Sequence, residues 1–371
     1  MRKEWNNAPS LPEQVFHEVE ATLTHSNELA DNFFDSLLLT YPESGYLIGM
    51  KAYFLCLENK IDSAKQFIAN EISLKNTLLK NTYVCLAMAM ISEYQGDRSS
   101  SMKYFKNGLE FDTNGTNKWI RLECFYAFQD SNLSVAQSNL ESALQIDPNF
   151  TTAFIESMHL LIAEDQFPEA ISKITAFSAT ETNEKLCYLL GFCHLQLQTY
   201  QEAAHWFNKS LSLESNVDAL VGMGYLSQFA FNQVALALDF YKEAYSLEPE
   251  NATVNKRLGV YYMDKEEYLL AKGYLEKAIQ VLPSQEDYLL LVYVQVVLKE
   301  FELALRLNSE CTSIFGWVRD NEFWSILITS LQGNVDKAQH LLNEYYEEYS
   351  IEDVAWLKSE LKAWGVDVVK K

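Results

Sequence analysis

Apolar residues recur along this chain at helical, not strand, spacing. In the stretch RLGVYYMDKEEYLLAKGYLEKAIQVLP, residues 257–283, they return every three or four positions, as two antiparallel helices require. The stretch also carries small residues at Gly259, Ala271 and Ala278, and it closes on Pro283. Glycine and alanine suit places where two helices cross closely. Proline lacks the N–H that a helix interior needs, so Pro283 belongs in a connection.

The same spacing returns. A repeat begun at Val217 gives Gly224, Ala237, Ala244 and Pro249, with one extra residue in its inner turn near FAFNQ. One begun at Glu184 gives Gly191, Ala203 and Ser210, with Ser215 in place of proline. From Asn117 come Cys124, Ala136, Ala143 and Pro148, and from Leu11 come Ala30, Leu37 and Pro42. The full series of starts is 11, 45, 82, 117, 151, 184, 217, 252, 286 and 319, so successive repeats are 33 to 37 residues apart. The repeats at 82 and 319 keep the hydrophobic frame with fewer small residues. In the repeat at 286, Ala304 comes early and SECTSIFGWV replaces the usual helix end, so a packing break is expected there. One helix pair cannot bury its apolar face alone, and neighbours must stack.

The chain resembles the tetratricopeptide repeat family. Leu258, Gly259, Tyr262, Ala271, Ala278 and Pro283 carry the likeness, with YQEAAHWFNKSLSLES and FYKEAYSLEPEN as second-helix patterns next door. The resemblance implies an all-α, right-handed superhelical solenoid of about ten antiparallel helix pairs. A tail is expected at 1–10, the repeat array at 11–350, and a capping helix with its tail at 351–371. In EDVAWLKSELKAWGVD, the residues Trp356, Leu357, Leu361 and Trp364 would cover the last repeat.

Composition narrows the function classes. Hydrophobic residues make up 48%, enough for a large core, while 13 glycines and 7 prolines are too few for a turn-rich β chain. The formal charge of −22 is spread without an acidic block, which disfavours binding to nucleic acid or an anionic membrane. The apolar run YLLLVYVQVVL is too short to span a bilayer, and the N-terminal segment has no secretory pattern. The six cysteines form no compact framework and read as reduced core thiols, so a cytoplasmic location is expected.

In such solenoids the first helices line the concave side. The ninth positions of successive repeats are Tyr53, Met90, Phe125, His159, Phe192 and Tyr225. They form a candidate aromatic groove for a partner protein or peptide. The alternative is that these side chains pack between neighbouring first helices. Basic residues on that face are Lys118, Arg121, Lys185, Lys256 and Arg257. Of these, Arg121, Lys256 and Arg257 are the candidate contacts to a partner, and the bland reading of Lys256–Arg257 is a solvated pair. The clamp that some family members build for chaperone C-termini is not assembled, because Tyr188, Phe192, Val221 and Tyr225 stand at its places.

No catalytic constellation, cofactor motif or metal set is visible. CYLLGFCH, residues 187–194, matches no zinc spacing, and Cys187 and His194 are expected in the core. GMGYL lacks the third glycine of a dinucleotide loop. The leading reading is a non-catalytic interaction scaffold. A peptide-responsive solenoid hinged near 286 is the alternative, and an enzyme with a site built from scattered carboxylates and His159 is a remote one. The sequence leaves the oligomeric state open.

Overall fold

The computed structural model describes residues 11–24, 30–112, 115, 117–129, 132–316 and 319–366. The expected tails at 1–10 and 367–371 lie outside them, as do residues 317–318 of SECTSIFGWV. The described residues form helices and connections, with no strand. Two compact units divide at Asp165/Gln166.

The N-terminal unit holds α1 (Glu13–Thr24), α2 (Ala30–Thr40), α3 (Gly45–Leu57), α4 (Ile61–Leu74), α5 (Thr82–Tyr94), α6 (Arg98–Phe111), α7 (Lys118–Phe128), α8 (Leu133–Ile146) and α9 (Thr151–Ala163). The C-terminal unit holds α10 (Phe167–Ala176), α11 (Glu184–Gln196), α12 (Tyr200–Leu213), α13 (Val217–Tyr225), α14 (Val234–Leu247), α15 (Ala252–Asp264) and α16 (Tyr268–Val281). It continues with α17 (Gln285–Val297), α18 (Phe301–Phe315), α19 (Arg319–Leu331), α20 (Val335–Glu348) and α21 (Ile351–Ala363).

Most first helices start on a short polar side chain; α9 is an exception, with Phe150 at its cap. Asn117, Asn183, Asn216 and Asn251 accept the amides of Ile120, Leu186, Ala219 and Val254 at 2.9–3.1 Å. Ser44, Ser284 and Ser350 do the same for α3, α17 and α21. Each cap satisfies an amide that the helix leaves orphaned and contributes about 1 kcal/mol. The turn to the second helix is equally stereotyped. Asn59, Gln198, Glu266 and Lys299 take the left-handed conformation, with φ of 57° to 61°. The next amides, of Lys60, Thr199, Glu267 and Glu300, reach back to Leu55, His194, Tyr262 and Gln295 at 2.8–2.9 Å. This is the hydrogen-bonded helix stop that reverses the chain.

The small residues sit where the second helix presses on the first. A Cβ on Gly259 would come within 2.7 Å of Leu275, one on Gly191 within 2.5 Å of Phe207, and one on Gly224 within 2.4 Å of Tyr241. Glycine therefore makes room for a large side chain of the second helix. Ala203, Ala237 and Ala271 are fully buried on the opposite side of the same seam.

Two repeats read as degenerate keep the seam. In the repeat at Thr82, Ser101 is fully buried at the first small site and Gly108 packs beneath Ile120 at the second. The repeat read from 286 has its first helix starting at Gln285. Ala304 and Cys311 then fall on the usual small sites, both fully buried, so this helix pair keeps the seam. Counted from Gln285, Ala304 is not early. At the C-terminal end, Leu357 and Leu361 of α21 are fully buried. Trp356 packs 5.6 Å from Phe323, and Trp364 lies edge-on to Tyr293 and Trp324 at 5.8 and 6.0 Å.

Two glycines separate seam from surface. Gly273, on an exposed face of α16, has no atom within 4 Å of an added Cβ. Gly273→Ala should stabilise the protein by about 0.5–1 kcal/mol through helix propensity. A Cβ on Gly49 would lie 2.4 Å from the backbone of Tyr83. Gly49→Ala should cost on the order of 1–3 kcal/mol. Urea midpoints of the two variants, moving in opposite directions, check both.

Candidate functional site

The ninth-position residues separate into core and surface. Tyr53 on α3 is 2% exposed and Phe125 on α7 is 3% exposed. The Tyr53 ring lies 6.0 Å from Trp119, and the Phe125 ring lies 5.2 Å from Tyr126. Both belong to the buried core of the N-terminal unit and are not available to a partner. Met90 and Phe192 are half-buried, as is Tyr225, and His159 is exposed on α9. The Tyr225 ring lies 4.9 Å from Phe229, itself about half exposed.

The basic candidates are engaged within the fold. Lys256 reaches Glu286 at 2.6 Å and Asp287 at 2.9 Å. Burial acts to lower its pKa, but those two carboxylates outweigh it and hold the ammonium above its ordinary range. The Arg257 guanidinium lies 4.8 Å from the centre of the Tyr225 ring, a cation–π contact. Arg121 donates to Asn139 at 3.5 Å and lies 3.8 Å from Asp112. Lys256 and Arg257 are therefore not the solvated pair that the sequence suggested. They help join neighbouring helices.

The extra residue near FAFNQ is absorbed by a wider turn at Leu226–Ala230, where the helix takes π geometry. The wide turn holds Gln228 inside, 8% exposed. Gln228 donates to Asp264 at 2.7 Å and accepts from the Tyr241 hydroxyl at 3.1 Å. The sequence flagged the insertion but not the polar network that it creates.

All six cysteines are buried and unbridged. The Cys187 thiol donates to the Thr180 carbonyl at 3.2 Å. His194, expected in the core, is half-buried at the end of α11, with Nδ1 2.9 Å from the Thr199 hydroxyl. Among the described residues no group of three His, Cys, Asp or Glu side chains is arranged to hold a metal ion, and no helix is long and apolar enough to cross a membrane.

The feature that the sequence reading missed is a buried acid. Glu123 on α7 is 8% exposed and accepts a hydrogen bond from the Tyr53 hydroxyl of α3. It lines a cavity of about 320 Å³, together with Met90, Glu93 and Tyr94 of α5, Phe105 of α6 and Tyr126 of α7. Burial raises the Glu123 carboxyl from about 4.5 to about 7; the Tyr53 bond opposes the rise and the charge of Glu93 adds to it. The Tyr126 hydroxyl donates to Glu156 at 2.8 Å and is pushed well up by burial. Glu123 stands inside a run of apolar residues, WIRLECFYAF. An acid on an otherwise buried stripe was the available signal.

A raised carboxyl pKa gives a signed prediction. The folded state binds the Glu123 proton more tightly than the unfolded chain does. The associated stability is complete below about pH 4.5 and is lost as pH rises through about 7. Glu123→Gln keeps an acceptor for Tyr53 and removes the ionisation. Its stability advantage over the parent should grow between pH 4.5 and 7 and then level, reaching at most about 3 kcal/mol. Denaturant midpoints at a series of pH values test this; parallel curves would show that Glu123 does not carry the raised pKa.

Comparison with known proteins supports the fold. Residues 184–217 match the tetratricopeptide repeat model. The DnaJ homolog subfamily C member 3 homolog of Dictyostelium discoideum is 24% identical over 163 residues, which cover 40% of this chain and 32% of that protein. The chain thus matches about a third of that relative's length. The crystal structure of the APC/C hetero-tetramer Cut9–Hcn1 superposes with a TM-score of 0.60 at 14% identity, covering 78% of this chain and 60% of that one. A tetratricopeptide repeat protein from Parabacteroides merdae gives 0.51 at 18% identity, covering 63% of this chain and 93% of that one. With one repeat matched by sequence and the stacked helix pairs matched by structure, the chain has an all-α helical-repeat fold similar to that of tetratricopeptide repeat proteins.

Proposed function

We propose that this protein is a non-catalytic adaptor that binds a partner protein or peptide along its first helices, since proteins of this fold generally mediate protein–protein interactions. One observation carries the reading. After folding, the first helices still present half-buried apolar and aromatic side chains: Met90 and Tyr126 in the N-terminal unit, Phe192 and Tyr225 in the C-terminal unit. Amphipathic rings of this kind suit peptide recognition, because they add contact area at little cost in side-chain entropy. The buried, unbridged thiols suit a reducing compartment, and the cytoplasm is the proposed location.

Two double variants test the reading: Met90→Ala with Tyr126→Ala, and Phe192→Ala with Tyr225→Ala. Leu269→Ala serves as the control, since Leu269 is 73% exposed on the second helix α16. Each is first shown by circular dichroism to fold. A partner captured from host lysate, identified by mass spectrometry and rebound as a purified protein, should bind the parent and the Leu269 variant. At least one double variant should lose about tenfold or more in affinity. Equal binding by all four proteins would move the interaction off the first helices.

A further inference from the structure

Among the described residues, Glu123 has no counter-charge. A nearly buried carboxylate is costly when ionised unless a cation or several donors meet it, yet Tyr53 is its one hydrogen-bond donor among the described residues. The cations on its own helix are committed elsewhere. Lys118 reaches Asp147 at 2.6 Å, and Arg121 is taken up by Asp112 and Asn139. The second carboxylate, Glu93, is exposed at the cavity mouth beside Tyr94, which is 50% exposed.

The cavity thus has an apolar and aromatic wall of Met90, Phe105 and Tyr126, an acid at its inner end and an acid at its mouth. That is the complement of one kind of side chain: an aliphatic stem ending in a cation. About 320 Å³ is at the small end of ligand-sized cavities and accommodates one long side chain. The chain's formal charge of −22 favours approach of a basic segment as well. We propose that this cavity is a specificity pocket for a lysine or arginine side chain of the bound partner. The proposal rests on the adaptor reading and adds the partner's chemistry to it.

The pocket has a proton signature. Glu123 is held protonated up to about pH 7, and an entering cation favours the carboxylate, so binding releases its proton below that pH. The other groups around it are Tyr53 and Cys56 from α3, Glu93 from α5, Cys124 beside it on α7, and Tyr126 of α7 with its partner Glu156 on α9. Burial pushes Tyr53, Cys56 and Tyr126 upward, away from neutrality. Affinity for a basic side chain should therefore rise as pH increases through about 7 and then level.

The probes are four pools of acetylated nonapeptides, identical in their mixed non-acidic flanks and differing only in a central arginine, lysine, citrulline or leucine. Fluorescence anisotropy measures their binding to the parent, Glu93→Gln and Glu123→Gln proteins at about pH 6 and about pH 8. The arginine and lysine pools should bind about tenfold more tightly than the citrulline and leucine pools at the higher pH. That advantage should shrink at the lower pH. It should also shrink in Glu93→Gln, a surface change that leaves the core intact, and collapse in Glu123→Gln. If citrulline and leucine match arginine and lysine, the pocket proposal fails while the adaptor reading stands. A basic preference unchanged in both variants also overturns the pocket. Binding of no pool at all would overturn the pocket, while the adaptor reading would still stand or fall on the captured-partner test.

Discussion

The close seam between the two helices of each repeat is the constraint on which the rest of the structure depends. Phe207, Tyr241 and Leu275 each press against a glycine on the preceding helix, and there is no room for a Cβ there. Core packing at this density allows few alternatives, because a single added methyl must displace a ring or a leucine. With the seam set, the outer edges of the pair are left to meet its neighbours. The buried alanines at 203, 237 and 271 belong to the same seam.

Polar groups tune this arrangement without driving it. Asparagine and serine caps fix where first helices begin, and left-handed residues such as Glu266 and Lys299 fix where they reverse. A non-glycine residue in that conformation costs about 1 kcal/mol or more, and the reversed chain recovers it through backbone hydrogen bonds and burial. The π turn at Leu226–Ala230 shows how far the rule stretches. One extra residue is accepted because Gln228 finds both Tyr241 and Asp264.

Against this background Glu123 is the exception. Its neighbours Trp119, Ile120, Leu122, Cys124 and Phe125 are buried apolar residues, and the fold buries an acid among them beside an open cavity. A polar residue that breaks the local pattern without an internal charge partner is where binding function is most reasonably sought. The same physics gives the acid its raised pKa and would make it selective for a cation.

Helix periodicity, the repeat length and the small-residue seam were all legible in the sequence, because each depends on spacing along one chain and on whether a Cβ fits. Most N-caps were legible too, as Asn or Ser before an apolar run, with Phe150 ahead of α9 the exception. Spacing did not decide which ninth-position rings are buried. Tyr53 and Phe125 occupy the same register as Phe192 and Tyr225, yet the first two are enclosed by neighbouring helices and the last two are only half covered. Nor did it pair Lys256 with Glu286 and Asp287, or bring Tyr53 to Glu123 across 70 residues. Burial and charge pairing depend on which repeats stack and how closely, and that is set by packing in three dimensions. The sequence by itself determined what kind of helix each segment makes and where it turns; only the tertiary structure decided which side chains remain for a partner.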